Sequence, residues 1–183
     1  PVPACGQDPW LLWPRCAGLC GKLGRRCAFG VTVGWKSPEA AAYAATLVES
    51  FRRITALPLL PDATDLAAAL WHHPNPVVSH GTEADPIFRY GNAAALALWQ
   101  MSWADFTRLP SRHSAEADGE IQSDRAALLA RALQTGFVAD YQGIRVSAQG
   151  QRFLIRDTIL WTVTDRSGQT LGQAALIGRV EPL

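Results

Sequence analysis

The spacing of apolar positions changes several times along the chain, and each change marks an element. Tyr43, Leu47, Phe51 and Ile54 recur every three or four residues, which puts them on one face of an amphipathic helix. Ser37 ahead of them offers a side-chain oxygen to first-turn amides, and Pro38 sits where a helix needs no amide, so a helix is predicted from Pro38 to near Thr55. The LPLLP run from Leu57 to Pro61 breaks it. Asp62 to His72 reads as a second, shorter helix with Leu66, Leu70 and Trp71 turned inward, stopped by Pro74, Asn75 and Pro76. Two β-rich runs follow, Val77-Val78 and Ile87, Phe88, Tyr90, around a polar break from Gly81 to Pro86. Gly91 ends the second run and Asn92 caps AAALALWQ, a run of strong helix formers. This unit of strand, turn, strand and capped helix is the one the rest of the chain is arranged around.

Past Trp99, Ser102 and Asp105 make an S-x-x-D cap for a short helix carrying Trp103 and Phe106, which Leu109, Pro110 and Ser111 end. Ala115 to Glu120 is polar. Ser123 to Thr135 is predicted helical with Leu128, Leu129 and Leu133, closed by Gly136 in a left-handed C-cap position. Three strands follow. Phe137, Tyr141, Ile144 and Val146 belong to one, and Phe153, Ile155, Ile159, Trp161 and Val163 to a longer one after the turn Ala148 to Gln151. Leu171, Ala175 and Ile177 form the third, after the hairpin turn Asp165 to Gly168. The expected fold class is α+β: a five-stranded antiparallel sheet of mixed order, helices over one face, and a helical N-terminal extension at residues 37–75 ahead of a core at 76–183.

Composition bounds this picture. With 183 residues, 48% of them hydrophobic and 18% charged, the chain has the make-up of one globular core. No run approaches the roughly 20 apolar residues of a membrane-spanning helix, and cytoplasmic localisation is expected. The net charge of +1 hides an asymmetry: residues 1–36 carry +4 and residues 37–183 carry −3. Arginines scattered singly over a body of negative sign offer no footprint for nucleic acid, so no nucleic-acid and no membrane partner is expected. All four cysteines, Cys5, Cys16, Cys20 and Cys27, lie in the basic segment at spacings of neither a zinc site nor a ferredoxin-type cluster. Residues 1–36 are expected to be a disordered extension or translated sequence upstream of the true start. Redox or metal sensing through the cysteines is the alternative reading.

Several segments in fixed order carry a resemblance. PVVSHGTEADPIFRYGNAAAL, LPSR at Leu109 to Arg112 with SAE at Ser114 to Glu116, GFVADYQG at Gly136 to Gly143, and RFLIRDTILWTVTD with GQTLGQAA are similar to the MEKHLA domain. That is a PAS-like module found alone in bacteria and at the C-terminus of plant class III homeodomain leucine-zipper regulators. The likeness covers about Ala40 to Ile177. It implies a sensory or interaction module, not an enzyme: sheet and helices enclosing a small pocket whose state passes through flanking helices to a partner. It implies no reaction and no particular ligand.

Plain packing is the competing reading for each candidate site residue. His80, Phe88, Tyr90, Trp99, Trp103, Phe153 and Trp161, with Tyr141, are the candidates for an aromatic ligand pocket, although such aromatics are more often core. His80 with Glu83 or Asp85 is the candidate acid/base group for an alternative reading as a small α+β enzyme, against which a solvated turn is the simpler reading of Glu83 and Asp85. Arg145, Arg156 and Asp157 read as cross-strand pairs. His72 and His73 suit a helix C-terminus, and His113 reads as an individual feature rather than a family site. No thiol occurs in residues 37–183, which excludes a cysteinyl-flavin adduct there. A non-covalent flavin or haem is neither excluded nor indicated, and the cofactor is unknown. A small-molecule ligand and a homodimer or protein partner in trans are the expected partners, with the Pro38 to Thr55 helix as the dimer or signalling element. Its one apolar face suits either its own sheet or a second subunit.

Overall fold

The structure, a computed structural model, describes residues 34–115 and 119–183. The cysteines, and with them the redox and metal reading, lie outside the described residues. Helix α1 (Pro38–Thr55) starts where the Ser37 hydroxyl accepts from the Ala40 amide at 3.1 Å and ends at Ala56, left-handed at φ 60°. Helix α2 (Leu66–Trp71) is shorter than its predicted span, because Asp65 and not Asp62 caps it, accepting from the Ala68 amide.

Strands β1 (Val77–His80) and β2 (Phe88–Gly91) pair antiparallel, and Asn92 caps α3 (Ala93–Trp99) as its sequence position suggests. Ser102 caps α4 (Trp103–Phe106), a 3-10 turn spans Ser111–Ser114, and α5 (Gly119–Thr135) begins earlier than Ser123. Gly136 then adopts the left-handed conformation at φ 87°.

The sheet runs β2-β1-β5-β4-β3, all neighbours antiparallel, from β3 (Phe137–Val146), β4 (Arg152–Thr164) and β5 (Thr170–Leu176). A sixth strand, β6 (Arg179–Pro182), pairs with the first half of β4. β5 and β6 are successive stretches along one side of β4, interrupted at Gly178, where a side chain would stand 2.6 Å from the Asp157 carbonyl. Four residues ending in a proline give β6 little signature in the sequence.

Helices cover both faces. α3, α4 and α5 bury one face, with Phe88, Trp99, Phe106, Tyr141 and Ile155 in that core. The N-terminal extension buries the other: Leu47 and Phe51 of α1 and Leu70 of α2 pack on Tyr90, Trp161 and Val163. The Phe51 and Trp161 rings meet edge-on at 4.9 Å. Ser50 fastens α1 to β4, its hydroxyl donating to the Thr162 carbonyl and accepting from the Thr164 amide. The apolar face of α1 is therefore used on its own sheet. No helix among the described residues is long and apolar enough to cross a membrane.

Bulges decide which side chains face which core. In β1 and β2, Ser79 pairs with Tyr90 and His80 with Phe88, so Arg89 is the extra residue and Phe88 and Tyr90 fall on opposite faces despite their spacing of two. In β4, Asp157 is left-handed at φ 50°, and the face inverts across it. Phe153 and Ile155 point to the α5 side, Ile159, Trp161 and Val163 to the α1 side.

Candidate functional site

Between the sheet and α3 and α5 lies a cavity of about 50 Å³. Its apolar wall includes Val78, Phe88, Leu129, Ile155 and Leu160, and its polar lining comes from His80, Trp99, Ser114, Tyr141 and Arg145. A site holding one water needs roughly 10–15 Å³, so the space takes a few waters or a ligand of a few heavy atoms. Flavin and haem sites run to several hundred Å³, about 300–1,000 for ordinary ligand pockets. At about 50 Å³ this cavity is smaller than such a site.

The polar groups converge for local reasons. Tyr141, Gly143 and Arg145 alternate along β3, so all three share one face of the strand. Gly143 has no side chain, and a Cβ there would stand 2.6 Å from the Tyr141 hydroxyl and 3.1 Å from the Arg145 guanidinium. That gap lets Arg145 Nη2 donate to the Tyr141 hydroxyl, while Nη1 donates to the Ile144 carbonyl at 2.7 Å. The guanidinium also lies 5.4 Å from the Tyr141 ring centre. Arg145 is only 6% exposed, and no carboxylate pairs with it among the described residues. Burying a cation away from a counter-charge is costly, so Arg145 dominates the polar character of this cavity wall.

Asn92 sets the start of α3, and Trp99 closes that helix over the cavity. Its indole nitrogen is buried and has no hydrogen-bond partner, and its ring meets Phe153 edge-on at 5.4 Å. Ser114 donates to the Ser111 carbonyl at 2.7 Å. His80 Nδ1 lies 2.9 Å from the Gly81 carbonyl, to which it donates.

The sequence-derived pocket set divides in three. His80, Phe88 and Trp99 line the cavity, and Phe153 stands behind Trp99 in the same core. Tyr90, Trp103 and Trp161 do not belong to it. They sit on the α1 face: Tyr90 and Trp161 because the bulges at Arg89 and Asp157 invert the strand faces, and Trp103 through α4, against Tyr90 at 5.5 Å. Burial there, away from any hydrogen-bond partner, pushes the Tyr90 phenol well above its usual range.

The acid/base grouping of His80 with Glu83 and Asp85 is not assembled either. His80 is buried in the cavity wall, whereas Glu83 and Asp85 are half-exposed and bonded to Arg89 and Arg112. The Arg89 hydrogen bond holds the Glu83 carboxyl below the usual carboxylate range, which weakens it as a base. Glu83→Gln and Asp85→Asn are each expected to change folding stability by less than about 1 kcal/mol, the scale of exposed ion pairs. Urea unfolding of each variant checks this.

Arg145 is the residue that cross-strand reasoning misplaced. Asp157 pairs with Arg179 at 3.4 Å and Arg156 with Glu181 at 2.9 Å, which leaves Arg145 to the cavity. The spacing Y-x-G-x-R is visible in the sequence, but its burial depends on α5 lying over β3. Among the described residues, no group of three or more His, Cys, Asp or Glu side chains is placed to hold a metal ion.

Comparison with known proteins agrees with this architecture. The photo-excited blue-light photoreceptor Vivid superposes with a TM-score of 0.55 at 15% identity, over 78% of this chain and 98% of its own. A PAS domain from Colwellia psychrerythraea gives 0.53 at 12% identity, over 61% and 90%. At such identities the likeness shows the fold alone. The homeobox-leucine zipper protein ATHB-8 of Arabidopsis thaliana is 28% identical over 132 residues, 69% of this chain. The chain spans only 15% of that protein's length. The MEKHLA domain pattern matches residues 41–181, so this chain, with its PAS-like sheet and helices, belongs to the MEKHLA domain family.

Proposed function

We propose that this MEKHLA domain is a cytosolic sensory module that binds a small molecule in the cavity behind Trp99 and passes its occupancy to a second copy or another protein, without catalysis of its own. The observation that supports the reading is that Arg145, Tyr141 and Trp99 line one cavity whose remaining wall is largely apolar. A route for the signal also exists. Thr162 donates from its hydroxyl to the Ala132 carbonyl of α5 at 3.0 Å, and its own carbonyl accepts from Ser50 of α1. Gln173 adds a second tie, donating to the Leu129 carbonyl at 2.8 Å. A displacement of α5 by a ligand thus bears on the strand that carries α1.

The test is to purify the 183-residue chain without added cofactor, denature it and analyse the supernatant by mass spectrometry, beside an Ala175→Val variant that fills part of the cavity from β5. The expected result is a small molecule released by the parent chain and absent from the folded variant. Equal release from both, or none from the parent, overturns the reading.

A further inference from the structure

Resting on that proposed cavity site, we infer that the ligand is a small carboxylate of acetate size, bound through the Arg145 guanidinium and the Trp99 indole. Four observations converge. Arg145 is more than nine-tenths buried, lines the cavity and has only neutral partners among the described residues. The Tyr141 hydroxyl accepts from Arg145, so its own hydrogen is left to donate. The Trp99 indole N–H, a group that only donates, has no acceptor. Around these donors the wall is apolar, with Val78, Phe88 and Ile155.

A site that offers a cation and neutral donors calls for an anion with several acceptor positions, and a guanidinium matches the two oxygens of a carboxylate. Size and wall complete the assignment. A cavity of about 50 Å³ holds roughly four heavy atoms, and the hydrocarbon end of a short carboxylic acid suits the apolar side. The ligand also supplies a counter-charge, which no carboxylate among the described residues gives Arg145.

The experiment is a thermal-shift titration of the full chain with sodium acetate, acetamide and sodium nitrate at matched ionic strength, repeated on Arg145→Met, Arg145→Lys and Trp99→Phe. Acetate is expected to raise the melting temperature saturably, and acetamide and nitrate to do so at least tenfold more weakly. Arg145→Met is expected to weaken acetate binding about 100-fold, and Trp99→Phe about tenfold. Arg145→Lys, which keeps the charge, should fall between parent and Arg145→Met. If Arg145→Met does not fold, the contrast between acetate and acetamide on the parent chain still decides. An equal response to acetamide overturns the assignment of a carboxylate, and so does an equal response to nitrate or undiminished acetate binding by Arg145→Met. A neutral molecule released from the parent and lost in Ala175→Val would overturn this assignment alone and leave the sensory reading standing.

Discussion

Asn92→Ala is expected to destabilise the fold by about 3–5 kcal/mol, more than loss of an ordinary helix cap, which costs about 1 kcal/mol. The side chain is fully buried and makes four hydrogen bonds. Its Oδ1 accepts from the Val77 amide at 2.9 Å and from the Ala95 amide at 3.0 Å. Its Nδ2 donates to the carbonyls of His73 at 3.0 Å and Asn75 at 2.9 Å. One residue therefore holds the end of the α2 connection, the first amide of β1 and the first turn of α3. Alanine leaves the Val77 and Ala95 amides buried without that acceptor, at about 1–3 kcal/mol each before relaxation, and takes a donor from the part-buried His73 and Asn75 carbonyls. Asn92→Asp separates the two halves of the argument, since it keeps the acceptor and replaces the donor by an acceptor facing two carbonyls. It is expected to recover little of the loss. Urea unfolding checks both variants, and a loss below about 1 kcal/mol for Asn92→Ala would refute this account of the junction.

Gly172→Ala is expected to be as severe, by a different mechanism. Gly172 has φ 151°, and a Cβ built there would stand 1.9 Å from the carbonyl oxygen of His80. That oxygen belongs to the backbone of β1, so β1 has to move away from β5, in the centre of the sheet and beside the cavity wall. Backbone strain of this kind costs about 1–3 kcal/mol, and disrupted pairing brings the expected total to about 3–5 kcal/mol. Gly168→Ala is the internal control. Gly168 is also left-handed, at φ 88°, but an added Cβ meets nothing within 4 Å, so only the conformational cost of about 1–2 kcal/mol remains. Equal losses for the two variants in thermal unfolding would show that close approach to His80 is not what requires a glycine at 172.

How much of this was readable in advance follows from which forces are local. The caps were: as helix caps, Ser37 with Pro38, Asn92, Ser102 and Gly136 act on groups within four residues, and each stands where its sequence position places it, although the further bonds of Asn92 to Val77, His73 and Asn75 are not local. The antiparallel order and the change from helix to strand after Gly136 follow from composition and spacing in the same way. The face of each strand residue did not. Alternation by two holds only between bulges, and the inversions at Arg89 and at Asp157 depend on pairing with distant strands. For that reason Tyr90 and Trp161 read as pocket residues and belong to the α1 core, while Arg145 read as a surface pair and lies inside. Trp103 joined them through α4, from which it turns towards Tyr90 and Trp71 while Phe106 enters the other core. The cover over the second face was half legible: the amphipathic stripe of α1 was plain, but nothing local says whether it covers its own sheet or a second copy.

The division of the sheet into a solid α1 face and a hollow α5 face is the centre of the account, and tryptophan side chains report on both. Trp99 and Trp161 each bury an unpartnered indole nitrogen, one at the cavity and the other under Phe51. The most direct measurement is a two-dimensional proton–nitrogen NMR spectrum of the full chain, its indole resonances assigned by single Trp→Phe substitutions, recorded during titration with acetate. The account predicts that the Trp99 indole moves saturably while the Trp161 indole stays in place. A saturable shift at Trp161 or Trp103 with Trp99 silent, or no indole shift at all, would contradict it.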